Sequence, residues 1–109
     1  MSNNFSFVGA LAHTTISEKY FAGKLFFSSR GVSADAGILE SNEDEKNIKT
    51  AMLGNCEEAF YLCDSTKIGK VGFTKLAKFG DIDYFITDAE LDEKMCEVLD
   101  ANEVVVERI

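Results

Sequence analysis

A short polar string follows an apolar segment in the middle of the chain. Ala59–Cys63 is an apolar run typical of a buried strand, and the string Asp64-Ser-Thr-Lys67 comes directly after it. In open parallel sheets, ligands bind beyond the carboxyl ends of the strands. A carboxylate, two hydroxyls and an ammonium at such a position predict binding of a small polar molecule, through a phosphate group or a sugar hydroxyl.

The pattern recurs about twenty residues later, where Tyr84–Thr87 reads as a strand that ends at Asp88. Two such strand ends are expected to share one crevice. Both strings also have a structural interpretation. Asp64 can cap its turn by accepting backbone amides while Lys67 stays in solvent, and the spacing alone leaves this alternative open. For Thr87 and Asp88, capping of the next helix is the favoured interpretation.

Two further pairs of residues have chemistry that suits a polar ligand. Arg30 and Gly31 follow a predicted strand, where a planar guanidinium suits carboxylate or phosphate and a glycine lets the backbone approach closely. A lone exposed arginine is nevertheless usually solvated. Glu45 and Lys49 are four residues apart on a predicted helix, with the acidic residue first. This arrangement favours a surface ion pair, which stabilises a helix by only about 0.2–0.5 kcal/mol. A role in ligand binding would require this helix to line the crevice.

Other kinds of site are not indicated by the sequence. His13 is the only histidine, and it has no neighbouring pattern typical of a catalytic triad or a metal site. Cys56, Cys63 and Cys96 make an odd count without C-x-x-C spacing, so we expect neither disulfides nor zinc. Nucleotide-binding and zinc-protease motifs are missing as well. No metal or cofactor is therefore expected, and these motifs indicate no catalytic residue.

Apolar runs and capping residues predict the elements that position these side chains. A helix begins after Ser41 or Asn42, and a second begins after Thr87 or Asp88 and ends at Asn102. A less regular helix is expected over Leu11–Tyr20. Arg30–Gly37 reads as a loop, and Gly69–Gly80 has helix-compatible spacing but is too short to assign. Strands are expected over Lys24–Ser29, Ala59–Cys63, Tyr84–Thr87 and Val104–Val106.

This alternation of strands and helices predicts right-handed crossovers, and hence an α/β fold with a parallel sheet flanked by helices. A chain of 109 residues fits one domain. Its formal charge of −8 disfavours contact with DNA or anionic lipid. No apolar run approaches the roughly 20 residues that span a bilayer, and Met1–Phe7 lacks a signal pattern, so we expect a cytoplasmic protein without a membrane partner.

Five short strings, which occur in a characteristic order between about Gly9 and Val106, allow the family of the sequence to be recognised. They are F-F-S-S-R-G-V, G-I-L-E-S-N-E-D-E, the I-K-x-x-M of the predicted helix, L-C-D-S-T-K-I-G and D-Y-F-I-T-D. In this order they resemble the effector-sensing domain of DeoR-family transcriptional repressors. The resemblance implies a fold related to ribose-5-phosphate isomerase and the CoA transferases, present here as a partial domain.

The resemblance also implies a function. Residues 1–109 would form a single effector-sensing domain, corresponding to its carboxyl-terminal half, that binds a phosphorylated sugar and associates with further copies. It would reach DNA only through a helix-turn-helix domain missing from this chain. By position, the implied effector-binding residues are Gly31, Glu45, Lys49, Asp64, Lys67 and Asp88.

Two other functions remain open from the residues. One is a sugar-phosphate isomerase-like enzyme in which Asp64 or Glu45 is the base and Lys67 stabilises the enolate. The other is a surface that serves only for assembly, since an open sheet face or edge needs covering.

Overall fold

A computed structural model of the chain describes residues 22–70 and 74–109. The helix expected over Leu11–Tyr20 lies outside these residues. Two short 3-10 turns, Ser65–Lys67 and Phe79–Asp81, interrupt the connections. In chain order the elements are β1 (Ala22–Phe27), β2 (Gly31–Ser33), β3 (Gly37–Glu40), α1 (Glu43–Gly54), β4 (Cys56–Cys63), β5 (Thr74–Ala77), β6 (Tyr84–Thr87), α2 (Glu93–Ala101) and β7 (Val105–Arg108).

The main sheet has four strands in the order β1-β4-β6-β7, and every neighbouring pair is parallel. The four strands are those expected from the apolar runs, with boundaries shifted by a few residues. Leu25, Tyr61 and Phe85 alternate with more exposed neighbours and form the core together with Met95 and Leu99 of α2. The predicted α/β fold, a parallel sheet flanked by helices, is confirmed.

A smaller antiparallel sheet, in the order β2-β3-β5, accounts for two segments that the sequence did not resolve. The loop expected over Arg30–Gly37 is in fact the first strand and the turn of a hairpin, and all four residues of β3 are buried. The segment from Gly69 to Gly80 contains β5 rather than a helix. The strands β2 and β5 have only three and four residues, too few for local periodicity to identify, and β5 forms by pairing with the distant β3.

Side-chain caps fix where the two helices begin. Asn42 accepts a hydrogen bond from the Glu45 amide at 2.9 Å, which confirms one of the two caps expected for α1. The cap expected for α2 at Thr87 or Asp88 is wrong. Asp92 caps this helix by accepting from the Met95 amide at 2.8 Å, because the chain leaves β6 through a short irregular connection before it turns helical.

The second face of the main sheet carries a row of aromatic side chains, which we call the open face. Phe26 stacks on Phe60 with ring centroids 4.5 Å apart, and Phe60 stacks on Tyr84 at 4.3 Å. Within residues 22–70 and 74–109 this face is accessible, with Phe26 57% exposed and Phe60 and Tyr84 partly buried. Within the same residues, no helix combines the length and apolarity that a membrane crossing requires.

Candidate functional site

The carboxyl ends of β1, β4 and β6 meet at one edge of the main sheet, where they surround a depression of about 490 Å³. We call it the strand-end depression. Leu62 and Ile86 contribute apolar walls. The polar lining residues are Ser28, Asp64, Lys67, Thr87 and Asp88. The structure therefore brings both polar strings of the sequence to one crevice.

A second, more polar depression of about 200 Å³ adjoins the first on the side of α1, and we call it the helix-side depression. Ser28 and Lys67 line both depressions, so the two are continuous at these side chains. The other lining residues are Ser29, Arg30, Glu40, Ser41, Glu45 and Lys49.

Asp64 holds the turn that follows β4. Its carboxylate accepts hydrogen bonds from the amide and the hydroxyl of Thr66, the amide bond being 2.9 Å long. The Thr66 hydroxyl, the Thr66 amide and the nearby Lys67 and Lys70 lower the pKa of Asp64, so this exposed carboxyl is ionised at neutral pH. The capping role considered from the sequence is therefore present, and it also fixes the carboxylate at the crevice.

Two bonds connect the strand ends to one another. Lys67 Nζ donates to the backbone oxygen of Ser29 at 3.1 Å, which joins the turn after β4 to the end of β1. Asp88 accepts from the Ser65 amide at 2.9 Å, which joins the end of β6 to the same turn. Lys67 thus has a structural partner as well as a place in the depressions, in contrast to the solvated side chain considered above.

Lys49 is buried, and its partner is Glu40. The ammonium lies 2.5 Å from Glu40 Oε1 and also donates to the Ser28 backbone oxygen at 2.7 Å. The surface pair expected between Glu45 and Lys49 is not formed. The expectation was wrong because α1 lies with Lys49 toward β3, where Glu40 ends the buried strand.

Three polar residues beneath the crevice were not identified from the sequence. Glu40, Ser29 and Tyr61 are all buried. Ser29 donates its hydroxyl hydrogen to the Gly31 oxygen at 3.0 Å, so the 2.6 Å contact between Tyr61 and Ser29 is a bond donated by Tyr61. Burial raises the pKa of Tyr61, which keeps this donor protonated. For Glu40 the sequence offered one signal, an acidic residue at the end of the otherwise apolar string G-I-L-E. That signal did not indicate Lys49 as the partner of Glu40.

Gly31 does not line either depression. A side chain at this position would meet the backbone oxygen of Lys70 at 2.7 Å, so the glycine permits close packing of β2 against the chain near Lys70. Of the six residues implied by the resemblance, the other five line one or both depressions. In the ranges that the structure describes, no group of three or more metal-ligating side chains occurs.

Alkylation should distinguish the cysteine at the crevice from the exposed one. Burial raises the pKa of Cys63 from 9.0 to about 11, whereas Cys96 lies exposed on α2. Because the thiolate is the nucleophile, we expect iodoacetamide at pH 8 to label Cys96 well before Cys63. Peptide mass spectrometry over time measures both rates in one sample. Equal rates would contradict the enclosed position of Cys63.

Comparison with known proteins identifies the family of the chain and several relatives. The family model of the DeoR C-terminal sensor domain matches residues 1–89. The chain is 30% identical over 106 residues to the HTH-type transcriptional regulator YulB of Bacillus subtilis, covering 97% of this chain and 41% of that protein.

Two other relatives are named as a repressor and as a transcriptional regulator. The lactose phosphotransferase system repressor of Staphylococcus aureus is 34% identical over 90 residues, which cover 83% of this chain and 35% of the repressor. The HTH-type transcriptional regulator GlpR of Haloferax volcanii is 30% identical over 82 residues, covering 75% of this chain and 32% of GlpR. The chain thus spans well under half of these relatives, and it belongs to the DeoR C-terminal sensor domain family.

Proposed function

We propose that this chain is the effector-sensing part of a transcriptional repressor and that its effector is a phosphorylated sugar bound at the edge of the main sheet. A DNA-binding domain outside this chain would respond to the bound effector. One observation carries the proposal: polar side chains from three strand ends converge on two connected depressions, with Lys67 lining both. The relatives are named as transcriptional regulators or as a repressor, which supports a regulatory protein as the class.

The charges at this edge suit a ligand with both hydroxyl and phosphate groups. Asp64 and Asp88 have carboxylate oxygens at the strand-end depression, and such oxygens accept from sugar hydroxyls. Lys67 supplies positive charge where the two depressions join, and Arg30 adds a guanidinium at the helix-side depression. An ammonium and a guanidinium suit phosphate, the first as a point charge and the second as a planar fork.

Binding could reach the rest of a repressor through the end of β1. Lys67 and Lys49 both donate to backbone oxygens there, at Ser29 and Ser28. A phosphate that draws Lys67 away from Ser29 would weaken one of these two bonds and change how β1 leads into β2. A sensor needs only this difference in binding free energy between two conformations.

Replacing Lys67 by alanine tests the site. We expect sugar-phosphate affinity to fall about tenfold or more, because a charge-assisted bond is lost. Lys70→Ala is the matched control, since Lys70 is exposed, lies three residues away and lines neither depression. The measurement is thermal unfolding of the chain with ribose 5-phosphate, glucose 6-phosphate, fructose 6-phosphate and inorganic phosphate. If no sugar phosphate raised the melting temperature of the unmodified chain, the proposal would be rejected.

We propose no chemical step on the ligand. An isomerase-like enzyme would need a base, but the hydrogen bonds that lower the pKa of Asp64 make it a weaker one. Glu45 and Asp64 also line different depressions. The relatives are named as regulators and not as isomerases. Association between copies, for which the open face is available, stays a prediction.

A further inference from the structure

A carboxylate oxygen at the site lacks a hydrogen-bond partner among the described residues. Glu45 Oε1 is shut off from solvent and accepts no hydrogen bond from any residue in the described ranges. Buried polar atoms in folded proteins are nearly always paired, and an unpaired one is costly. Glu45 is only partly buried and lines the helix-side depression, so rotation of its carboxylate would bring the unpaired oxygen to a space that a ligand group could enter.

The neighbouring groups do not provide the missing bond. Lys49 is engaged by Glu40 and by the Ser28 oxygen. Glu40 accepts from Lys49 with one oxygen and from the Ser41 amide with the other, at 2.9 Å. The second carboxylate of the helix-side depression is therefore satisfied within the protein, whereas Glu45 is not.

The backbone of Glu45 is held in place, because its amide donates to the Asn42 side chain in the cap of α1. The point from which the Glu45 side chain reaches the depression is therefore fixed.

The charges of the depression select the chemistry of the missing donor. A phosphate group beside Glu45 would be repelled by the carboxylate. An ammonium group would be repelled by Arg30 and Lys67, which line the same depression. A neutral donor such as a hydroxyl group avoids both repulsions.

We propose that the helix-side depression is the subsite for a hydroxyl group of the sugar, and that Glu45 Oε1 accepts its hydrogen bond. This inference rests on the proposed function. It assigns Glu45 to the carbohydrate part of the effector and leaves the phosphate to Lys67, on the side where this residue lines the strand-end depression. It also makes Glu45 a specificity-determining residue, because an analogue without that hydroxyl leaves Oε1 unpaired.

The test compares Glu45→Gln with the matched control Asp44→Asn, which removes one negative charge from the same helical turn at a position that lines neither depression. Thermal shift and calorimetric titration would use the four phosphates named above, with 2-deoxyglucose 6-phosphate and 3-deoxyglucose 6-phosphate added. We expect Glu45→Gln to weaken sugar-phosphate binding about tenfold without weakening the binding of inorganic phosphate, while Asp44→Asn changes neither.

The results separate the two proposals. Loss of sugar-phosphate affinity in Glu45→Gln, with reduced discrimination against a deoxy sugar, would support the inference. Equal affinity in Glu45→Gln and the unmodified chain would overturn this inference alone. No binding of any sugar phosphate to the unmodified chain would overturn the proposed function as well. A melting temperature of unliganded Glu45→Gln well below that of Asp44→Asn would also overturn the inference, since Glu45 would then be a structural residue.

Discussion

Replacing Lys49 by methionine is expected to lower the free energy of unfolding by about 3–5 kcal/mol, because the substitution leaves the Glu40 carboxylate buried without its cation. The pair is enclosed, with Glu40 3% and Lys49 6% exposed. The Ser28 oxygen would also lose its donor from the Lys49 ammonium. Urea unfolding followed by circular dichroism measures the change, provided that the slope of the transition stays constant.

The control for Lys49→Met is Lys46→Met on the same helix. Lys46 pairs with Glu43 at 3.8 Å near the surface, so its replacement should cost less than about 1 kcal/mol. The double variant Glu40→Leu with Lys49→Met should recover much of the lost stability, because both charges are then removed together. A cost for Lys49→Met no larger than that for Lys46→Met would show that the buried pair does not form.

Replacing Gly31 by alanine is expected to destabilise the chain by about 2–3 kcal/mol, because the new methyl group overlaps packed backbone. The added carbon would lie 2.7 Å from the Lys70 oxygen and 2.9 Å from the Lys70 Cβ. Backbone atoms cannot move aside as a flexible side chain can, so β2 or the segment near Lys70 must shift. Thermal or urea unfolding measures the change.

Gly23→Ala is the matched variant in the exposed part of β1. The added carbon there would meet only the Glu57 side chain, at 3.8 Å, which is an ordinary contact. We expect this variant to be neutral or slightly stabilising, because alanine restricts the unfolded chain more than glycine does. Similar unfolding curves for the two variants would rule out the close packing around Gly31, and Gly31 would again be a candidate for ligand contact.

The features that the sequence predicted well depend on local patterns. The strands predicted at Ala59–Cys63 and Tyr84–Thr87 are apolar runs bounded by polar residues. The second has the observed bounds, and the first lacks only the three residues at the start of β4. Because these strands are parallel neighbours, the residues just beyond them had to lie at the same edge. The convergence of Asp64, Lys67 and Asp88 follows from that geometry.

The features that the sequence did not reveal depend on distant contacts. The strand β3 pairs with β5, more than thirty residues later, and no local period marks either of them. Lys49 had a plausible partner at Glu45, four residues before it, but the fold gave it Glu40 instead. The choice between these two carboxylates is decided by how α1 packs on the sheets, and one-dimensional spacing does not contain that information.

We expect the open face to make association between copies of this chain depend on ionic strength. Copies that carry a formal charge of −8 repel one another at neutral pH, which opposes contact between their stacked aromatic rows. Salt weakens that repulsion, since the screening length falls from about 10 Å at 0.1 M to about 3 Å at 1 M. We therefore expect the row of Phe26, Phe60 and Tyr84 to promote contact between copies more strongly in concentrated salt than in dilute buffer.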